Sequence, residues 1–315
     1  MSMSRILITG APWFVGANLA HRLILSGADV SLFVQPKVDM WRLGGIKKKC
    51  AVLSIDLTRA DVVTRAVHRL RPDVVYHVAT HDSSLKQEEA EHMMAFDVLG
   101  TVNLLEALRH VGTARRIISV GSVVEYDQNV RHIQEDTLLC ASSAYGASKA
   151  SQSFFTEYYA RLYKMPIVIV RPTHLYGPFE DQRRLVPAAI LAYMRATPLT
   201  LSSPNACMDY LFVEDAVDAF LAASEHVQES GEIINIGSGK EYSNKEVVAV
   251  VRHCIGTRVP LAWGALDGRA WDSSRRHAYD IKKAKSALGW EPRHTVEEGL
   301  ARTIVWFKEH KQLYT

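Results

Sequence analysis

In the stretch SSAYGASKA, Tyr145 and Lys149 stand four residues apart, a spacing that on a helix puts both side chains on one face. A phenol with a pKa near ~10 is a poor acid or base at neutral pH, and a neighbouring ammonium stabilises its phenolate. Lys149 could thus make Tyr145 a usable proton carrier, and it could also hold a ribose. Such a pair arises often by chance, so its meaning rests on context. About twenty residues upstream, RRIISVGSVVEYDQ reads as a strand that ends in a loop carrying Ser122. A hydroxyl and a phenol together suit chemistry on an alcohol or a ketone, in which a proton and a hydride both move. Ser119 is the alternative hydroxyl.

Hydride needs a carrier, and the first strand leads to a place for one. RILITG runs into APWFVGANL, where Gly10 and Gly16 bracket a turn that opens a helix through Trp13, Phe14 and Val15. Backbone N–H groups and the helix dipole at such a turn bind a pyrophosphate. At the end of the second strand an acid would bond the ribose 2′-OH of NAD and repel the 2′-phosphate of NADP. Val34 and Gln35 stand there instead, with Lys37 and Arg42 nearby, which favours NADP(H) over NAD(H). Asp39 would serve NAD in a shifted register.

Taken in order, these motifs resemble the extended short-chain dehydrogenase/reductase family, of the NAD-dependent epimerase/dehydratase type that modifies nucleotide sugars. The resemblance runs over essentially the whole chain: HVAT with Ala79 after the fourth strand, VRPTHLYGP with Pro172 beside the nicotinamide, and the closing YDIKKAKSALGWEP. It implies that Ser122 is the catalytic serine, bonding the substrate's carbonyl or hydroxyl oxygen beside Tyr145 while hydride passes to or from nicotinamide. It also implies that Asp56 and Leu57 contact adenine, although Asp56 suits an ordinary helix N-cap as well. Two departures stand out. Trp13 replaces the middle glycine of Gly-x-x-Gly-x-x-Gly, and its indole must either lie on the surface, the reading favoured here, or cover the cofactor. Asp97 replaces the asparagine of Asn-Val-x-Gly-Thr, which keeps an acceptor and loses an amide donor.

The resemblance also narrows the reaction. Sugar dehydratases carry Thr-Asp-Glu where this chain has Ser122, Val123 and Val124, so elimination is not expected. GSVVEY looks more like the Gly-Ser-Ser-Glu-Glu-Tyr of 4-keto-6-deoxysugar reductases, and reduction of a nucleotide-bound 4-keto sugar is the leading expectation. A nucleotide-sugar 4-epimerase with retained NAD follows closely. Substrate positions would be Ser122, His174, Met208 and Arg269, of which His174 and Met208 stand where the family has an asparagine and a diphosphate-binding arginine. Arg183, Arg184, Arg275 and Arg276 are further cations, each equally readable as a solvated charge. These departures leave open a carbonyl reductase for a substrate without a nucleotide. A non-catalytic cofactor-binding protein, with Trp13 blocking turnover, conflicts with the intact Tyr145, Lys149 and Ser122.

The elements that must position these residues follow from periodicity. Short β-branched runs (RILITG, DVSLFV, AVLSID, DVVYHV, RRIISV, PIVIVR) alternate with amphipathic helical segments, which predicts an α/β fold with a doubly wound parallel sheet, the Rossmann fold. The expected division is a dinucleotide-binding domain over residues 1–172 with 211–238, and a smaller substrate-binding lobe over 173–210 with 239–315. EIINIG should rejoin the sheet. The apolar helices near 88–110 and 147–162 suit a homodimer, a further implication of the resemblance.

Composition sets outer bounds. The 315 residues are 48% hydrophobic and 23% charged, with a formal net charge of +3, which suits a packed globular protein and not a nucleic-acid or membrane partner. The 4 cysteines are widely spaced, the start MSMSRILITG carries no export pattern, and no metal-ligand spacing is found among the histidines. A cytoplasmic enzyme without metal is the expectation.

Overall fold

The computed structural model describes residues 4–80, 90–227, 229–264 and 278–314. The central sheet has seven parallel strands: β1 (Arg5–Thr9), β2 (Asp29–Val34), β3 (Ala51–Ser54), β4 (Val74–His77), β5 (Arg116–Val120), β7 (Ile167–Pro172) and β11 (Glu232–Ile236). Their order is β11-β7-β5-β4-β1-β2-β3, and the short strands β6 (His132–Ile133) and β9 (Leu199–Leu201) lie outside this sheet. β7 is buried at every position, as a strand covered on both faces must be, and β11 brings EIINIG back beside it. The chain winds outward in opposite directions from β1 and β4. The crevice at their carboxyl ends is therefore the place where this topology binds ligands.

Helices cover both faces. On one side α1 (Phe14–Leu25), α7 (Val213–His226) and α9 (Lys282–Leu288) bury Leu19, Leu23, Phe220 and Leu288 against Ile8, Leu32 and Ile118. On the other, α2 (Ala60–Leu70), α4 (Gly100–Val111) and α5 (Ala144–Tyr163) bury Val63, Leu104 and Tyr159 against Leu7, Val75 and Ile117. A third cluster lies between α6 (Leu185–Arg195), α8 (Asn244–Ile255) and α10 (Val296–Glu309), where Ile190, Val251 and Phe307 meet. Serine and threonine caps start the last two of these helices: Ser243 pairs reciprocally with Glu246, and Thr295 with Glu298.

One helix departs from its expected form. The helix read over 88–110 is interrupted by a π-helical turn, Met94–Leu99, between a short α3 (Ala90–Met93) and α4. The extra residue per turn re-aims Asp97 into the protein, where it is fully buried. Three shorter strands complete the wall beside the crevice: β8 (His174–Tyr176) runs parallel to β10 (Cys207–Phe212), which pairs antiparallel with β12 (Glu241–Ser243). This small sheet sets His174 level with Tyr210 and Met208 level with Tyr242.

Candidate active site

A cavity of about 270 Å³ opens at the sheet's carboxyl edge. Its wall takes Trp13, Phe14, Val15 and Gly16 from the first turn, Ser122 from the loop after β5, Tyr145 and Lys149 from α5, and Pro172, His174 and Met208 from β7, β8 and β10. Residues far apart in the chain thus share one surface. Gln35, Lys37, Asp56, Leu57, Gly10 and Ala79 lie off that wall, and Arg269, Arg275 and Arg276 fall outside the described residues.

The first turn is packed so tightly that two of its positions require glycine. Gly10 has φ +76, and a Cβ there would come within 2.6 Å of the Ala79 backbone; a Cβ on Gly16 would run into the Gly10 carbonyl oxygen. Such crowding brings β1, β4 and the start of α1 so close together that only glycine fits. Trp13, by contrast, has φ −93 and ψ 166, ordinary extended geometry, and its carbonyl accepts from Ala17 N–H at 2.8 Å. That backbone requires no glycine, so the substitution is tolerated. Trp13 is half-buried and lines the cavity. These residues fit a nicotinamide dinucleotide, with its pyrophosphate at the N-terminus of α1.

Arg42 lines the cavity as well. Its guanidinium donates to the carbonyls of Phe179 at 2.7 Å and Pro12 at 3.4 Å, and stacks over Trp41 at 4.3 Å. Past the end of β2, Lys37 is exposed and Gln35 is half-buried. Asp56 accepts from the Thr58 N–H and hydroxyl in a local turn, while α2 begins after Arg59, so Asp56 is not that helix's cap. Leu57 is buried, and its carbonyl is held by Asn103 at 2.9 Å.

At the other end of the cavity, Ser143 caps α5 by accepting from Gly146 N–H at 3.0 Å, which sets Tyr145 in the first turn and Lys149 in the second. Burial and the nearby Asp97 push the Tyr145 phenol well up, while Arg184 and the Thr80 hydroxyl pull it back. Burial pushes the Lys149 ammonium down against Asp97 and Glu125. Its Nζ donates at 2.5 Å to both the Val120 carbonyl and Gln152, so in this state it is held by the strand and its own helix, not by Tyr145. Ser122 caps the short turn that follows β5, its Oγ accepting from Val124 N–H at 3.4 Å.

A buried polar chain supports this end. Thr9 and Thr101 flank His77 at 2.7 Å on either side, Thr101 donates to the Asp97 carbonyl, and the Asp97 carboxylate accepts from Ser148 at 2.7 Å. The lost amide donor at position 97 is not needed here, because Ser148 does the donating. Burial, and then Lys149, push the His77 imidazole down to about 3.

Further residues share the wall. Asp209 is buried beside Met208, accepts from Ser238 and Gly239 N–H at 2.7 and 2.9 Å, and is raised by burial to about 6. Arg184 stands at the start of α6 on the cavity wall, whereas Arg183 folds back on Asp181 at 2.9 Å. Thr80, Gln128 and Tyr279 lie in stretches the sequence singled out, HVAT, RRIISVGSVVEYDQ and YDIKKAKSALGWEP, but only the fold brings them to the wall. Asp209 was within reach of sequence reasoning, since it directly follows Met208.

A doubly wound parallel sheet with a glycine turn at its switch point, and a serine, tyrosine and lysine gathered at the other end of the cavity, define a short-chain dehydrogenase/reductase enzyme. Residues 6–237 match the model of the NAD dependent epimerase/dehydratase family, and the chain belongs to that family. Over 315 residues it is 27% identical to a putative UDP-glucose 4-epimerase of Methanocaldococcus jannaschii, covering 98% of this chain and 99% of that one. It is 29% identical, over 98% of its own length, to a trifunctional UDP-glucose 4,6-dehydratase/UDP-4-keto-6-deoxy-D-glucose 3,5-epimerase/UDP-4-keto-L-rhamnose-reductase of Arabidopsis thaliana. The match spans only about half, 47%, of that longer protein. An epimerase structure from Methanothermobacter thermautotrophicus superposes with a TM-score of 0.89 at 27% identity, covering 99% of this chain and 94% of the other.

Proposed function

We propose that this enzyme reduces a 4-keto group on a nucleoside-diphosphate sugar, with Tyr145 as the proton donor. The observation that carries the reading is the gathering of the Ser122 hydroxyl and the Tyr145 phenol on one cavity wall, the phenol held protonated by burial and then by Asp97. A protonated phenol suits the delivery of a proton to the oxygen of a ketone undergoing reduction. Val123 and Val124 stand where elimination would need an acid and a base, which argues against dehydration.

In this mechanism the Ser122 hydroxyl donates to the carbonyl oxygen and Tyr145 faces the same oxygen, releasing its proton as the alkoxide forms. Lys149 keeps the surroundings positive and orients the nicotinamide ribose. When bound, the reduced dinucleotide supplies hydride to the carbonyl carbon. Gly10, Gly16 and the start of α1 would hold its pyrophosphate, and Pro172 would back the nicotinamide. The family evidence points to NAD. Lys37, with no acid after β2, leaves NADPH as the competing reductant. On the substrate side Arg184 is the cavity cation best placed to replace the arginine missing at Met208.

A second reading, 4-epimerisation with retained NAD, is favoured by the full-length relatives carrying that name. The two readings separate in one set of assays. Denaturing the purified protein and weighing the released dinucleotide tests retention. UDP-4-keto-6-deoxyglucose with NADH or NADPH tests reduction, and UDP-glucose with NAD tests epimerisation. Consumption of reductant without tightly held NAD supports the first reading; a copurifying NAD with interconversion of C4 epimers replaces it with the second. Turnover of simple ketones but of neither nucleotide sugar points to the non-nucleotide reductase. No dinucleotide binding at all ends the enzymatic reading.

We also propose a homodimer. Phe154, Phe155, Tyr158 and Leu162 on α5 are exposed together with Leu99, an apolar surface whose burial would favour association. Sedimentation of the wild type and of Phe154→Ser tests it, with a monomeric wild type overturning the assignment. No helix of the described residues is long and apolar enough to cross a membrane. The four cysteines are in no disulfide among those residues, in keeping with the proposed cytoplasmic location.

A further inference from the structure

Directly beneath Ser122 lies a carboxylate that the reaction as described does not use. Glu125 is wholly buried, and so, to 1%, is Arg171, whose Nε donates to Glu125 Oε2 at 2.8 Å. The same oxygen accepts from the Ser153 hydroxyl at 2.7 Å, and Oε1 accepts from the Ser122 N–H at 2.6 Å. Arg171 is itself fixed: its Nη1 donates to the Tyr126 hydroxyl at 2.9 Å, which donates on to Asn235 of β11 at 2.8 Å. Space has been cleared for the carboxylate, since a Cβ on Gly121 would sit 2.5 Å from Oε1 and 3.2 Å from Arg171 Cγ.

The three donors come from three different parts of the site. Ser122 is on the loop after β5. Ser153 is on α5, one turn beyond Lys149 on the same face. Arg171 is the penultimate residue of β7, next to Pro172 on the cavity wall. A buried ion pair is a weak device for stability alone, because apolar residues of similar volume usually serve as well. Its geometric exactness is what apolar packing cannot supply.

We propose that Glu125 is a positioning residue: anchored by Arg171, its carboxylate ties the Ser122 loop to the helix bearing Tyr145 and Lys149, so that both hydroxyls reach one substrate oxygen. The inference rests on the catalytic reading of Ser122 and Tyr145 given above. An error of about 1 Å in such an arrangement can cost on the order of a hundredfold in rate, so the tie acts on kcat.

The test is a double-mutant cycle of Glu125→Gln and Ser122→Ala, read as kcat and KM for reduction of UDP-4-keto-6-deoxyglucose by NADH, with dinucleotide affinity measured by titration. Glu125→Gln should lower kcat about a hundredfold, leave KM and dinucleotide affinity within about a factor of two, and add no further loss in the Ser122→Ala background. Additive losses, or a loss carried by dinucleotide affinity, overturn the proposal. Ser153→Ala removes one donor and leaves the ion pair, and it takes the place of Glu125→Gln in the cycle if the latter does not fold. Amide exchange needs no substrate: the Ser122 N–H should exchange about tenfold faster in Ser153→Ala than in the wild type, with the rest of β5 unchanged. Unchanged exchange at Ser122 overturns the tie whatever the substrate. Tyr145→Phe is the control, because full activity in that variant sinks the catalytic reading and leaves the exchange result to decide the tie.

Discussion

The two ends of the cofactor crevice are built differently. At the catalytic end Lys149, Asp97, Glu125 and Arg171 are buried, and their polar groups bond among β5, β7, α5, the π turn and the Ser122 loop at 2.5 to 2.8 Å. At the adenosine end Lys37 and Asp39 are exposed, and Asp39 and Asp56 spend their carboxylates on turns two residues away. Buried polar groups find their partners in the protein, so each bond constrains its neighbours; exposed ones are satisfied by water and constrain little. Chemistry is thus held by tertiary structure, and cofactor choice by a few replaceable side chains.

The largest effect expected from breaking this contrast is at Tyr145. Tyr145→Phe should lower kcat about a thousandfold while leaving dinucleotide affinity unchanged by titration. An equal loss of affinity would mean that the catalytic end also governs binding, and the division fails.

The buried chain through His77 predicts a pH signature of stability. The folded imidazole is held down near 3, below its unfolded value of 6.5, so its stabilising contribution is complete above about pH 6.5. It is lost as pH falls from there toward 3, at up to roughly 1.4 kcal/mol per pH unit. Urea unfolding across that window should show a steeper fall for the wild type than for His77→Leu, by up to one proton. Equal slopes would remove His77 from the account.

Asp97→Asn sharpens the contrast within the catalytic end. Removing the carboxylate brings the Tyr145 phenol down, so the alkaline limb of kcat for ketone reduction, where the proton donor is lost, moves to lower pH. A limb that stays put or rises means that Asp97 does not act on Tyr145. The smallest effect is expected at the other end. Lys37→Ala should cost about tenfold in kcat/KM with NADPH, if NADPH is used, and nothing with NADH. A common loss with both reductants would give Lys37 a role beyond the 2′-phosphate.

Much of the fold was legible because period and order are local properties. The alternation of β-branched runs with helical segments specifies a parallel sheet, and the strand after His226 finds its place beside β7 for the same reason. The π turn was not legible, since nothing in AFDVLG marks the extra residue that swings Asp97 inward. The Phe179 and Pro12 carbonyls that hold Arg42 at the cavity wall were not legible, because sequence distance from β2 does not reveal them. For Trp13 the structure adds what the sequence lacked, an extended backbone and a place on the cavity wall.

The sequence by itself determined the local placing of the proposed reacting set. Tyr145 and Lys149 share a helix face by spacing, Ser122 follows a strand end, and Gly10 and Gly16 shape the turn that starts α1, each a consequence of a few neighbouring residues. Only the tertiary structure decided what surrounds them. Glu125 finds Arg171 across 46 positions, and Asp97 finds Ser148 across 51. A buried charge takes its partner from whichever element packs against it, and that choice is made by the fold as a whole.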